Sequence, residues 1–201
     1  MADKVQICNL ALIRLSATRI TSLTDNTIEA KQCSAIYELI AEQVMSLGPW
    51  PSVIRRTALS QLTTTPAYEY KYEYQLPTDP KFLRLLEINE NKVGDIPHTV
   101  ENGKLLVNES IVKIRYISYI TDSESYDIYL RQAIADHLVA ELTYATTGQI
   151  ALYKKSLEYA QEHSKELLSQ CSLQTSAQDV NSDTFIDARS SIWPSEGRTN
   201  L

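Results

Sequence analysis

The sequence predicts an α+β fold: a bundle of two N-terminal and two C-terminal helices, an inserted and mostly antiparallel β region, and an extended C-terminal tail. Apolar residues recur at helical spacing up to about Leu47 and again from about Ser123 to Cys171. Between these stretches, alternate residues are tyrosines, which is the period of a strand. We therefore divide the chain into helical part A (residues 1–65), the β region (66–121), helical part B (122–171) and the tail (172–201).

The composition is that of an ordinary globular protein. The chain has 201 residues, and its net charge is −6. This size suits one domain, or one domain with a small inserted lobe. A general nucleic-acid binder needs an excess of cations, so the acidic balance argues against that function. We expect no signal peptide and no membrane span, because the sequence has neither a basic N-terminal region before an apolar core nor about 20 consecutive apolar residues.

Two helices are predicted in helical part A. Asp3 is a candidate cap for the first, which we expect to end at about Ala17. Asn26 and Glu29 have the spacing of a capping box, so the second helix should follow them. Gly48 and Pro49 should end this helix after Leu47. The segment from Trp50 to Arg56 is then predicted to be a short connection with one or two helical turns.

The β region is predicted to contain about five strands. Tyr68, Tyr70, Tyr72 and Tyr74 should share one face of the first strand, with the alternating charges on the other. Asn102-Gly103 is a strong hairpin signal, because both residues tolerate positive φ. The tyrosine face is most simply a packing surface; a protein interface and stacking on nucleic-acid bases are the alternatives. The other strand candidates are 83–88, 96–100, 104–107 and 111–120.

Two further helices and a polar tail follow. We expect helices from Ser123 to Thr147 and from about Gln149 to Cys171, with Gly148 as the residue that ends the first. Polar residues dominate residues 172–201, which predicts an extended segment. Two apolar islands interrupt it, and we predict that they dock on a partner; an indifferent terminal tail is the alternative. The docking candidates are Phe185, Ile186, Ile192 and Trp193.

No residue pattern predicts catalysis, a cofactor or a metal ion. Cys8, Cys33 and Cys171 lie on apolar helix faces and should be buried thiols of a protein in a reducing compartment. The three histidines lie far apart in sequence and should be surface or interface residues. Asp79 and Asp95 near strand ends are the type of pair that glycosidases use, but acidic residues are also common in turns. The histidines are His98, His137 and His163.

Arg55 and Arg56 are the remaining candidates for recognition. They follow an aromatic residue and a proline and precede the predicted sheet. Two partners are equally plausible for them: acidic residues of the helices in the same chain, or a neighbouring subunit. With Trp50, these two arginines form the predicted subunit interface.

Several segments, in order, resemble one known family. They are Ile7 to Leu12 with Ile20 to Leu23, Glu29 to Tyr37, Trp50-Pro51 to Leu59, Tyr70 to Asp79 with Leu83-Arg84, and Ile114 to Ile117 with Tyr126-Asp127 and Ala133 to Leu142. Over residues 5–165 the chain is similar to the head–tail adaptors of tailed bacteriophages, of the tail tubular protein A type. The chain departs from the family at Ile40-Ala41-Glu42, where a basic residue is expected, and at Ser52, where an aromatic residue is commoner.

The resemblance implies a structural virion protein, not an enzyme. Members of this family form a ring, usually of twelve identical subunits, that joins the portal to the tail nozzle or tube. DNA passes through the ring without specific binding. The subunit would lie at the head–tail junction of the virion, and in the host cytoplasm during assembly. C-terminal segments of related adaptors reach into the portal. The resemblance therefore implies that the docking residues of the tail bind the portal protein.

Two other functions stay open at this point. A tail-associated hydrolase of polysaccharide or cell wall would need paired carboxylates, for which Asp79, Asp95 and Glu109 are available. A cellular binding module would use the tail as a linear motif. A gene located beside portal and capsid genes would favour the connector over this module.

Overall fold

The computed structural model describes residues 4–172 and has the predicted α+β fold. Four helices flank seven strands: α1 (Lys4–Arg14), α2 (Ile28–Leu47), β1 (Ile54–Leu59), β2 (Tyr72–Gln75), β3 (Phe82–Ile88), β4 (Asn91–Lys92), β5 (His98–Glu101), β6 (Lys104–Val107), β7 (Val112–Ser118), α3 (Ile128–Thr147) and α4 (Ile150–Ser172). None of these helices combines the length and apolar composition that crossing a membrane requires.

The helix ends correct the predicted boundaries. Thr27, and not Asn26, caps α2: its side chain accepts a hydrogen bond of 3.2 Å from the Ala30 N–H. Asp127 caps α3 by accepting from the Leu130 N–H at 2.9 Å, so this helix starts later than Ser123. Residues 123–125 instead form one turn of 3₁₀ helix. Gly148 ends α3 as predicted, with φ 65° and an N–H bond of 2.9 Å to the Tyr144 carbonyl.

The strands form two antiparallel sheets. The first sheet has the order β1-β7-β3-β4 and the second has the order β2-β6-β5. The predicted hairpin joins β5 and β6, and Asn102 and Gly103 both have positive φ, as that turn requires. Strand β1 corrects the prediction of a helical connection: after a single 3₁₀ turn, residues 54–59 pair with β7 in the register Ile54↔Ile117.

The predicted tyrosine strand is only partly a strand. Glu69 has a φ of 74°, which interrupts the pleat, and β2 begins at Tyr72. Tyr74 is buried between the sheets, whereas Tyr68 is largely exposed. Glu73, which was expected on the face opposite the tyrosines, is also buried, because the preceding loop covers it: the Leu62 N–H donates to the Glu73 carbonyl at 2.9 Å.

Two hydrophobic clusters make up the core. The larger one lies among the four helices and includes the Ile117 end of β7. The smaller one lies between the two sheets and contains Tyr74, Leu105 and Tyr116. Helix α3 is central, because α1, α2 and α4 all pack against it, while α2 and α4 pack on α3 more than on each other. The β region is thus a lobe attached to one end of a helical body.

Candidate interaction surfaces

Trp50 is part of the core and not of a surface. Its side chain is fully buried in the helical cluster, and the indole N–H donates to the Val44 carbonyl at 2.9 Å. A buried indole needs such a partner for its polar atom. Trp50 therefore holds the turn after α2 in place, and its side chain is not available to a neighbouring subunit. The prediction of an interface at this residue does not fit its position.

Arg55 and Arg56 are both exposed and lie on β1, an edge strand of the first sheet. Because successive side chains of a strand point to opposite faces, the two guanidinium groups lie on opposite faces of the first sheet. Arg55 lies opposite Tyr116 and Arg56 lies opposite Arg115. Within residues 4–172 neither arginine forms a salt bridge. Pairing with acidic residues of the helices, one of the two predicted alternatives, is therefore not seen in this part of the chain.

A row of charges crosses the first sheet from Arg56. Its neighbour Arg115 on β7 donates a hydrogen bond of 2.6 Å to Glu87 on β3. The Nε atom of Arg115 is buried and has no hydrogen-bond partner among the described residues. Like charges directly opposite on paired strands repel each other, and of Arg56 and Arg115 only Arg115 forms a salt bridge within residues 4–172.

Arg56 and Arg115 line a cavity of about 460 Å³, which we call the arginine cleft. It lies between β1 and the end of α4, whose Leu168 packs closely on Gly48. Its walls combine prolines, apolar side chains and the last described residue of the chain. The lining residues are Pro49, Pro51, Ile54, Arg56, Arg115, Leu168, Cys171 and Ser172.

All four helices expose some large apolar side chains, and two groups of them, on α2 and on α4, are the candidate interaction surfaces. On α2, Ile28 and Leu39 are 73% and 69% exposed; we call this the α2 flank. On α4, Leu152 and Tyr159 are exposed beside a cavity of about 420 Å³ that reaches α1; we call this the α4 flank. Since α2 and α4 both pack on α3 more than on each other, the two flanks are different surfaces of the helical body. Exposed apolar surface of this kind commonly marks a protein interface.

A buried charge network lies under the α4 flank, and no pattern in the sequence indicated it. Asp136 is buried and accepts hydrogen bonds from Arg14 of α1 and from His163 of α4, the latter at 2.8 Å. The next residue, His137, is also buried and lies 3.2 Å from the Ser164 hydroxyl, so the prediction of a surface or interface histidine is corrected to a contact inside the subunit. Burial lowers the pKa of His137, which favours its neutral form.

The candidate carboxylates of a hydrolase do not form one cluster. Asp79 lies next to the start of β3, at the Ser118 end of β7, whereas Glu109 lies near the Val112 end. A seven-residue strand separates these ends by about 20 Å, too far for two carboxylates to act on one glycosidic bond. Asp95 follows β4 and is an exposed turn residue, whose N–H donates to the Lys92 carbonyl at 3.1 Å. Within residues 4–172 no three His, Cys, Asp or Glu residues are grouped as a metal site.

The predicted docking residues of the tail lie outside the described residues: Phe185, Ile186, Ile192 and Trp193. Comparison with known proteins adds no assignment. No protein-family model matches the chain, and no curated protein matches it at a significant level. The resemblance to phage adaptors therefore stays a prediction.

Proposed function

We propose that this protein is a structural subunit of a head–tail connector ring in a tailed bacteriophage. The observation that carries the proposal is the pair of exposed apolar flanks on α2 and α4. An interface between two different faces of one subunit is heterologous, and such an interface forms a ring when the rotation between successive subunits closes after a whole number of copies. The proposed contact joins the α2 flank of one copy to the α4 flank of the next.

The charge of the chain suits a conduit for DNA. Each subunit has a net charge of −6, and a ring of such subunits repels phosphates. DNA can then slide through the channel without being held, because binding to its backbone depends on cations that displace counterions. The proposed partners are further copies of this chain, the portal protein, and a nozzle or tube protein on the tail side. The β lobe is the part that we assign to the tail side or the periphery.

Electron microscopy tests the ring. The purified chain is mixed with the portal protein encoded in the same genome, and we expect rings stacked on the portal. The variants Leu39→Asp and Tyr159→Asp place a charge on the α2 and α4 flanks and should abolish these rings while leaving the fold intact. Ile111→Asp is the matched control, because Ile111 is also exposed, at 71%, but lies in the β lobe.

Two outcomes would overturn this proposal. One is a wild-type chain that ignores the portal at every concentration tested. The other is a ring that assembles equally well from Leu39→Asp, Tyr159→Asp and Ile111→Asp subunits. A free monomer is compatible with the proposal, because the portal can act as the template on which weak contacts add up around the ring.

The tail has a separate role in the proposal, as the anchor to the portal. A chain shortened to residues 1–172 should remain folded, since both hydrophobic clusters lie within the described part, but it should lose its affinity for the portal. Replacing Phe185 and Trp193 by serine in the full chain should weaken portal binding in the same direction. Unchanged affinity of the shortened chain would remove the anchor from the proposal and leave the ring untouched.

A further inference from the structure

The arginine cleft has more positive charge than its neighbours balance. Arg56 and Arg115 lie side by side on β1 and β7, and only Glu87 pairs with one of them among residues 4–172. The Nε atom of Arg115 still lacks an acceptor there. Arginine prefers a carboxylate that accepts two hydrogen bonds from its planar group. The cleft therefore suits one further carboxylate, carried on a segment with apolar side chains that match Pro51 and Ile54.

The segment that begins next to the cleft has this chemistry. Ser172, the last described residue, lines the cleft itself. The first charged residues beyond it are Asp179, Asp183 and Asp187, and no basic residue occurs before Arg189. Seven residues of extended chain span up to about 23 Å, so Asp179 is well within reach of the two arginines. Its neighbour Val180 supplies an apolar side chain.

We propose that residues 173–183 of the same chain dock in the arginine cleft, with the Asp179 carboxylate bound between Arg56 and Arg115. Because the segment is attached at Ser172, docking within the same chain is favoured over docking of a second copy. A short connection corresponds to an effective concentration in the millimolar range. The contact would determine the direction in which the remaining tail leaves the helical body. It goes beyond the connector role and does not require it, since an isolated subunit is sufficient to form it.

Hydrogen exchange of the full chain tests this contact. Amides in residues 173–183 should exchange about tenfold more slowly than those of a synthetic peptide with the same sequence, because docking protects them. Arg56→Gln and Asp179→Asn should each return the exchange to the rate of the peptide. Arg55→Gln is the matched control, because this exposed arginine is adjacent on β1 but faces away from the cleft, and it should leave the slow exchange unchanged. The exchanged pair Arg56→Asp with Asp179→Arg should restore much of the protection.

Each of the following results would overturn the proposal, and each points to a different explanation. Exchange at the peptide rate in the wild-type chain, or slow exchange that Arg56→Gln leaves unchanged, removes the contact. Slow exchange that disappears on dilution assigns the cleft to a second copy. A short DNA oligonucleotide that binds the wild type but not Arg56→Gln, with fast exchange in residues 173–183, assigns the cleft to phosphates. Because none of these measurements uses the portal, failure here leaves the ring proposal standing, and failure of the ring leaves this contact standing.

Discussion

The substitution Asp136→Asn tests the buried charge network between α1, α3 and α4. The Asp136 carboxylate is buried, with its side chain 3% exposed, and accepts from both Arg14 and His163. Asparagine has almost the same shape but offers one acceptor oxygen and places an amide N–H₂ group toward a donor. The change therefore alters charge and hydrogen bonding while packing stays nearly constant.

The expected loss of stability follows from the two contacts. Hydrogen bonds to a charged group contribute about 1.5–3 kcal/mol each, and asparagine keeps one acceptor. Removing one partner of a fully buried ion pair costs about 3–5 kcal/mol, but Arg14 is 33% exposed and can turn toward water. We therefore expect the free energy of unfolding to fall by about 2–3 kcal/mol. With a slope of about 2 kcal/mol per molar urea, the unfolding midpoint should fall by about 1–1.5 M.

Urea unfolding followed by circular dichroism measures this shift. Glu42→Gln is the matched control, because Glu42 pairs with Lys81 on the surface, where both side chains are exposed. Exposed ion pairs contribute about 0–1 kcal/mol, so the control midpoint should move by less than about 0.5 M. If Asp136→Asn and Glu42→Gln shift the midpoint equally, burial does not set the strength of this network and our reasoning is wrong.

Four further predictions concern the cap of α3, the end of α3, the core and alkaline pH. Asp127→Ala removes the helix cap and the 2.8 Å hydrogen bond from the Ser52 hydroxyl, so urea unfolding should show a loss of about 1–2 kcal/mol. Gly148→Ala forces a side chain into positive φ and should lower the melting temperature in calorimetry by several degrees, for a loss of about 1 kcal/mol. Trp50→Ala leaves a core cavity and should cost about 3–5 kcal/mol in the same urea assay. Burial raises the pKa of the Cys171 thiol from 9.0 to about 11, so this thiol loses its proton at a lower pH in the unfolded chain than in the folded one. The free energy of unfolding should therefore fall as the pH rises between these two pKa values. Cys171→Ala should make this fall with pH less steep.

The sequence predicted the parts of the fold that obey local rules. The helical spacing in α2 and α4 and the turn at Asn102-Gly103 are visible in the chain, because each depends on residues close together in sequence. The end of α3 at Gly148 is of the same kind, since positive φ favours glycine regardless of what packs nearby. The predicted ends of helices were less accurate where two neighbouring residues can both act as the cap, as Asn26 and Thr27 can at the start of α2.

The candidate site was less predictable, because its residues meet only through distant pairing. The sequence singled out Arg56 but not Arg115, which becomes its neighbour only when β1 pairs with β7. Burial of Asp136 and His137 was also missed. They lie off the apolar stripe of α3, and they are buried because α1 and α4 cover further sides of this central helix.

By itself the sequence determined the α+β class, the four helices and the hairpin, since spacing and backbone preference act within a few residues. Only the tertiary structure decided that the segment after Trp50 is a strand, that the indole is buried, and that two arginines share one cleft. A short segment such as Ile54–Leu59 has no conformation of its own that dominates; it becomes a strand because β7 supplies its hydrogen-bond partners from far along the chain.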